Sequence, residues 1–180
     1  MTVEQDKQDS AKEEKNGVRT APRRWSRNLL SKTGPVARFF RMEREARKLA
    51  SEGARLRSTG NLQGAFVKFQ LAASNEKNSG FAADLHEMAA DTMFEIAGTH
   101  IEKSKKDSCL LAAAEEYRNA ALKRADVHQE KAAMLYIRAG TLSIQVGVSA
   151  SAKNDFQAAS DLTSRQTLHN WLRMQMAQLE

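Results

Sequence analysis

Residues 46–72 read ARKLASEGARLRSTGNLQGAFVKFQLA. Ala46, Leu49, Gly53 and Leu56 fall three or four apart before Gly60, and Leu62, Ala65, Phe69 and Ala72 repeat that spacing after it, so each set shares one face of a helix. Two antiparallel helices follow. Gly60-Asn61 is the turn, because glycine takes a positive φ at little cost and asparagine tolerates it better than most residues. The smallest residues, Gly53 and Ala65, stand mid-helix where two backbones approach, while Leu49, Leu56 and Phe69 fill the space around them.

The same wording returns twice. Phe94, Gly98 and Ile101 copy the spacing of Leu49, Gly53 and Leu56, and Leu110, Ala113, Tyr117 and Ala120 copy Leu62, Ala65, Phe69 and Ala72. A third pass offers Ala133, Tyr136 and Gly140, a turn at Gly147, then Ala152, Phe156 and Ala159. Ser79-Gly80 breaks the chain between the first two passes. A longer helix is expected over 82–105, with a turn around Lys105 to Ser108. Thr163 followed by Gln166 fits a capping box, and Leu168, Trp171, Leu172, Gln175 and Leu179 give a half-apolar stripe for a closing helix, with Trp171 as its anchor.

This grammar resembles the tetratricopeptide repeat. The resemblance implies an all-α fold: a right-handed array of about three antiparallel helical hairpins, a TPR-like α-solenoid, closed by a C-terminal capping helix. The spacing departs from the family. Phe69, Tyr117 and Phe156 stand 48 and 39 residues apart, where the repeat runs at about 34. Repeats of this greater length, with AAxxFxxAA-like wording at Ala65 to Ala73 and Ala89 to Ala97, also resemble the helical hairpins of the soluble NSF attachment proteins.

Charge separates the chain into two parts, an expected disordered basic tail over 1–35 and the helical domain over 36–180. Three lysines oppose five acids in residues 1–18, whereas Arg19 to Lys48 hold ten basic residues against Glu43 and Glu45. The formal net charge of +6 therefore belongs to that one segment. Residues 1–22 lack apolar periodicity and are too polar to offset the entropy of ordering. Arg19 precedes the stretch in which Arg23, Arg24, Arg27 and Lys32 surround Trp25, Leu29 and Leu30, a composition that suits either an amphipathic turn on meeting a surface or a Trp25 folded back to cover the body. Arg38, Arg41, Arg44 and Arg47 continue the stripe into a helix expected over 36–58. Ser26 follows two arginines in RRWS, the substrate pattern of basophilic kinases, and is a candidate phosphosite.

Little in the sequence points to catalysis, and no cofactor is expected. His86-Glu87 opens like a zinc-protease helix, but Ala90 stands where the second ligand belongs. No glycine-rich phosphate loop occurs. Cys109 is the single cysteine, which excludes a disulfide framework; its place near a helix start is one that can lower a thiol pKa. No apolar run reaches the roughly 20 residues of a spanning helix. A cytoplasmic protein is expected, with the nucleus as the alternative.

In tetratricopeptide proteins the first helix of each repeat lines a groove that holds a partner peptide or helix. The resemblance places Arg47, Ala50, Ser51, Ala54 and Arg57 there, with Thr92, Glu95, Ile96 and Thr99 from the second repeat and Met134, Ile137, Arg138 and Thr141 from the third. The chaperone-binding members clamp a carboxylate with lysine and asparagine in the first repeat, asparagine in the second, and lysine and arginine in the third; here those places hold Ala50, Ala54, Ile96, Met134 and Arg138, and only the last agrees. An adaptor binding another protein is the expected function. The alternatives are nucleic-acid or ribosome binding, or an anionic membrane, through Arg19 to Lys48. Oligomeric state is left open.

Overall fold

A computed structural model describes residues 35–179. Among them are seven helices and no strand: α1 (Pro35–Ser58), α2 (Leu62–Asn75), α3 (Ser79–Thr99), α4 (Lys103–Arg124), α5 (Gln129–Gln145), α6 (Ser149–Leu162) and α7 (Gln166–Ala177). The protein is all-α in this part. The tail expected over 1–35 and its Ser26 lie outside the described residues, except that Pro35 opens α1. Proline suits that place because its φ is preset and the first helical N–H needs no partner.

Each helix packs chiefly on its neighbours in the chain, from α1 on α2 through to α6 on α7. The two glycine turns form as read: Gly60 has φ +80° and Gly147 φ +81°. Asn61 then caps α2, its side-chain oxygen accepting from the Gly64 N–H at 3.0 Å. Asn78 does the same for α3 through the Phe81 N–H, also at 3.0 Å. Alanine dominates the core, which lets helices approach closely while Phe69, Tyr117 and Phe156 supply volume; all three are buried.

Two hairpins share one packing device. A Cβ built on Gly53 would lie 2.8 Å from Phe69 Cε1, and one built on Gly140 would lie 2.6 Å from Phe156 Cε1. In both, ring and glycine are separated by the same 16 positions, 53 to 69 and 140 to 156. The ring edge occupies the space that any larger residue would need.

The middle hairpin departs from the sequence reading. Gly98 is exposed with nothing near its Cβ position, Phe94 is half exposed, and Ile101 is fully exposed. Helix α3 begins at Ser79 and ends at Thr99, so the turn falls at residues 100–102 and not at Lys105 to Ser108. Lysines and serine are polar but not helix-breaking, and Lys103 to Ser108 form the start of α4. Glu102 stabilises that start by accepting from Ser104 Oγ and Lys105 Nζ, each at 2.7 Å. What sets the register is the long apolar face of α4, where Leu110, Ala113, Ala114, Tyr117, Ala120 and Ala121 are all buried against α3 and α5.

Helix α7 covers the end of the third hairpin. Leu172 is its fully buried residue; Trp171 is half exposed and meets Phe156 edge-on with ring centroids 6.0 Å apart. The capping box is not made. Thr163 is the C-cap of α6, and its hydroxyl donates to the Glu130 carboxylate of α5, while Arg165 holds the N-cap position of α7 without a capping hydrogen bond from its side chain. Glu130 also accepts from the Ser164 N–H at 2.9 Å, so α5 ties down the α6–α7 turn.

Candidate interaction surface

Side chains link alternate helices on both sides of the chain. Arg57 of α1 donates through Nε and Nη2 to Glu95 of α3, and Arg138 of α5 reaches Glu87 of α3 at 3.5 Å. Among the second helices of the hairpins, Gln70 of α2 donates to Glu116 of α4 at 2.6 Å. Arg118 of α4 forks onto the buried Asp155 of α6 at 2.7 and 2.9 Å and donates to Ser143 of α5. Burial pushes the Asp155 carboxyl above the usual range against the pull of Arg118, and the Asp155 contact raises the guanidinium above its ordinary value.

The first helices, α1, α3 and α5, carry most of the residues expected to face a partner. Arg47 and Ala54 are exposed on α1, and Arg47 donates to Glu43 one turn back at 2.6 Å. Ala50 is half buried against the Phe69 and Leu85 core. Glu95 and Thr99 are exposed on α3, Thr99 donating to the Ile96 carbonyl. Met134, Arg138 and Thr141 are exposed on α5, whereas Ile137 packs against Phe156 and Leu172. Thr92 and Ile96 do not belong to a surface: both are buried. Helix α3 packs between α2 and α4 and therefore buries a wider arc than a first helix read from the α1 pattern would. The hydroxyl of Thr92 is satisfied inside by the Met88 carbonyl at 2.7 Å.

Sequence reasoning missed the acidic row of α3. Asp84, Glu87, Asp91 and Glu95 recur every three or four residues, a signal legible in the sequence. Arg57 meets the row from α1, Arg124 and Tyr117 from α4, and Lys131 and Arg138 from α5. Tyr117 donates its hydroxyl to Asp91, and the Arg138 guanidinium stands 5.6 Å from the centre of the Tyr117 ring. Burial first, then that hydrogen bond, pushes the phenol well above its ordinary pKa. The row thus serves as an electrostatic seam joining three hairpins, and its ionic groups are matched.

No family model, curated protein or solved structure matches the chain. Its functional reading therefore rests on its own residues. Among those described, no three of His, Cys, Asp and Glu converge as a metal-binding group, and no helix is long and apolar enough to cross a membrane. The Cys109 thiol lies in the second turn of α4, and burial pushes its pKa up, opposite to the effect expected of a helix start. Arg41, Arg44 and Arg47 are all exposed on the first turns of α1 that the structure describes with side chains.

Proposed function

We propose that the chain is a non-enzymatic adaptor, a TPR-like array of three hairpins capped by α7, which holds a peptide or helix of another protein against α1, α3 and α5. The observation that carries the reading is the linkage of alternate helices by Arg57–Glu95 and Arg138–Glu87. In a stacked hairpin array the first helices lie side by side, and such bridges are what neighbouring first helices would make. The repeated glycine–ring contact of the first and third hairpins supports the same repeat logic.

Arg57, Glu95, Arg138 and Glu87 are already paired on this surface, so they add orientation more than affinity. The remaining exposed groups, Ala54, Thr99, Met134 and Thr141, are small or apolar. They suit the apolar stripe of an amphipathic helix or extended peptide. A second contact falls to the arginine-rich segment, and two weak contacts on one chain raise avidity.

One observation favours a rival. The exposed Arg41, Arg44 and Arg47 extend the basic segment onto a formed helix, which suits the phosphates of a nucleic acid or an anionic membrane. A pull-down from native lysate with the intact chain and with a form lacking residues 1–34, washed at low and high salt, separates the readings. A protein retained by both forms at high salt is the adaptor's expected result. Recovery by either form that is lost as salt rises would overturn it and move the function to the arginines.

A further inference from the structure

Glu116 of α4 is one of two acids buried among the described residues, and the two are treated differently. Asp155 has the forked guanidinium of Arg118. Among the described residues no arginine or lysine meets Glu116: Gln70 of α2 donates to its Oε1 at 2.6 Å, and His86 Nδ1 of α3 lies 2.7 Å from its Oε2. His86 is its sole ionisable partner among the described residues. Among the described residues each oxygen thus uses one of two acceptor positions.

Glu116 lines a surface pocket of about 390 Å³ together with Val67, Gln70, Leu71, His86 and Asn119. Val67 and Leu71 stand one turn apart on α2, and each is about half exposed. The pocket thus combines an apolar wall with a buried acceptor pair that no described arginine or lysine reaches. Burying a charge is costly unless it is paired, and a forked guanidinium fills two acceptor positions at once. An arginine stem also covers apolar surface while its head bonds.

We infer that this pocket between α2, α3 and α4 receives an arginine side chain from a partner protein, its guanidinium on Glu116 and its stem along Val67 and Leu71. The site lies apart from the surface proposed on α1, α3 and α5, and it gives the chain a further recognition point, one that takes a basic segment. His86 and Gln70 hold the carboxylate in place for the incoming fork.

The test is nitrogen-15 NMR of the full chain titrated with acetyl-Leu-Ala-Arg-Leu-Ala-amide, and with the same peptide carrying citrulline in place of arginine. Citrulline keeps the shape and hydrogen-bonding head but removes the charge. The expected result is saturable shifts at Gln70, Leu71 and Asn119 with arginine, at least tenfold weaker with citrulline. Glu116→Gln should remove that preference, and Leu71→Ser, at a half-exposed position that tolerates change, should weaken both peptides. Equal binding of the two peptides, shifts located elsewhere, or no binding of the arginine peptide would overturn the assignment.

Discussion

Changing glycine to alanine in a helix normally stabilises it, by about 1 kcal/mol in a helix interior. At Gly140 the opposite is expected. The added methyl would lie 2.6 Å from Cε1 and 2.9 Å from Cδ1 of Phe156, and 3.2 Å from Asp155 Cβ. The ring cannot retreat cheaply, because Phe156 is fully buried against Leu172 and Trp171, and Asp155 is held by Arg118. Overpacking of this kind costs about 1–3 kcal/mol. Set against the gain in helix propensity, Gly140→Ala should destabilise by about 1 kcal/mol, a Tm loss of roughly 2–4 °C at this chain length. Gly98→Ala is the internal control, since nothing lies within 4 Å of its Cβ position. It should stabilise by about 0.5 kcal/mol, less than a full interior gain because α3 ends at the next residue. Urea unfolding followed by circular dichroism reads both through the midpoint at constant slope. A third variant sharpens the test: Phe156→Leu removes the clashing ring edge, so adding Gly140→Ala to it should cost less than adding it to the natural chain, a coupling above about 0.5 kcal/mol. A Gly140→Ala chain with a raised midpoint, or a Phe156→Leu background that leaves its cost unchanged, would refute the packing argument.

Asp155→Ala strands the Arg118 guanidinium between α4, α5 and α6 and should cost about 3 kcal/mol in the same urea assay, the low end for a broken buried pair because Arg118 is partly exposed. Tyr117 holds its proton more tightly when folded, so its contribution is complete below the ordinary phenol value and is lost as pH rises above about 10. Thermal unfolding across that range should show a falling Tm, with a shallower fall in Tyr117→Phe. Glu130 behaves with the opposite sign: the Ser164 backbone and side chain hold its carboxyl below the usual range, so its contribution is complete at neutral pH and is lost on acidification. In a Trp25→Phe background, Trp171 fluorescence should change below about pH 4.5, and Glu130→Gln should show at neutral pH the loosened signal that the natural chain reaches only in acid.

Local chemistry was legible in the sequence. Apolar spacing identified the helices, Gly60 and Gly147 the positive-φ turns, and Phe69, Tyr117 and Phe156 the core anchors, because these depend on neighbours within one or two turns of the chain. The middle hairpin was misread where that information ends. Gly98 has the wording of Gly53 but no ring above it, and the turn falls at 100–102 because the buried alanine face of α4 selects its register against α3 and α5. Thr92 and Ile96 passed for surface residues because a single sequence does not say that two neighbouring helices cover α3. The seam of Asp84, Glu87, Asp91 and Glu95 was readable as a stripe but not as a joint, since its partners Arg57 and Arg138 lie 38 and 51 residues from the acids they meet. Local pattern along the chain set the helices, most of their ends and the residues able to fill a core. Tertiary structure alone decided which face of each helix met which neighbour, because that choice minimises exposed apolar area and unpaired charge over the whole chain at once.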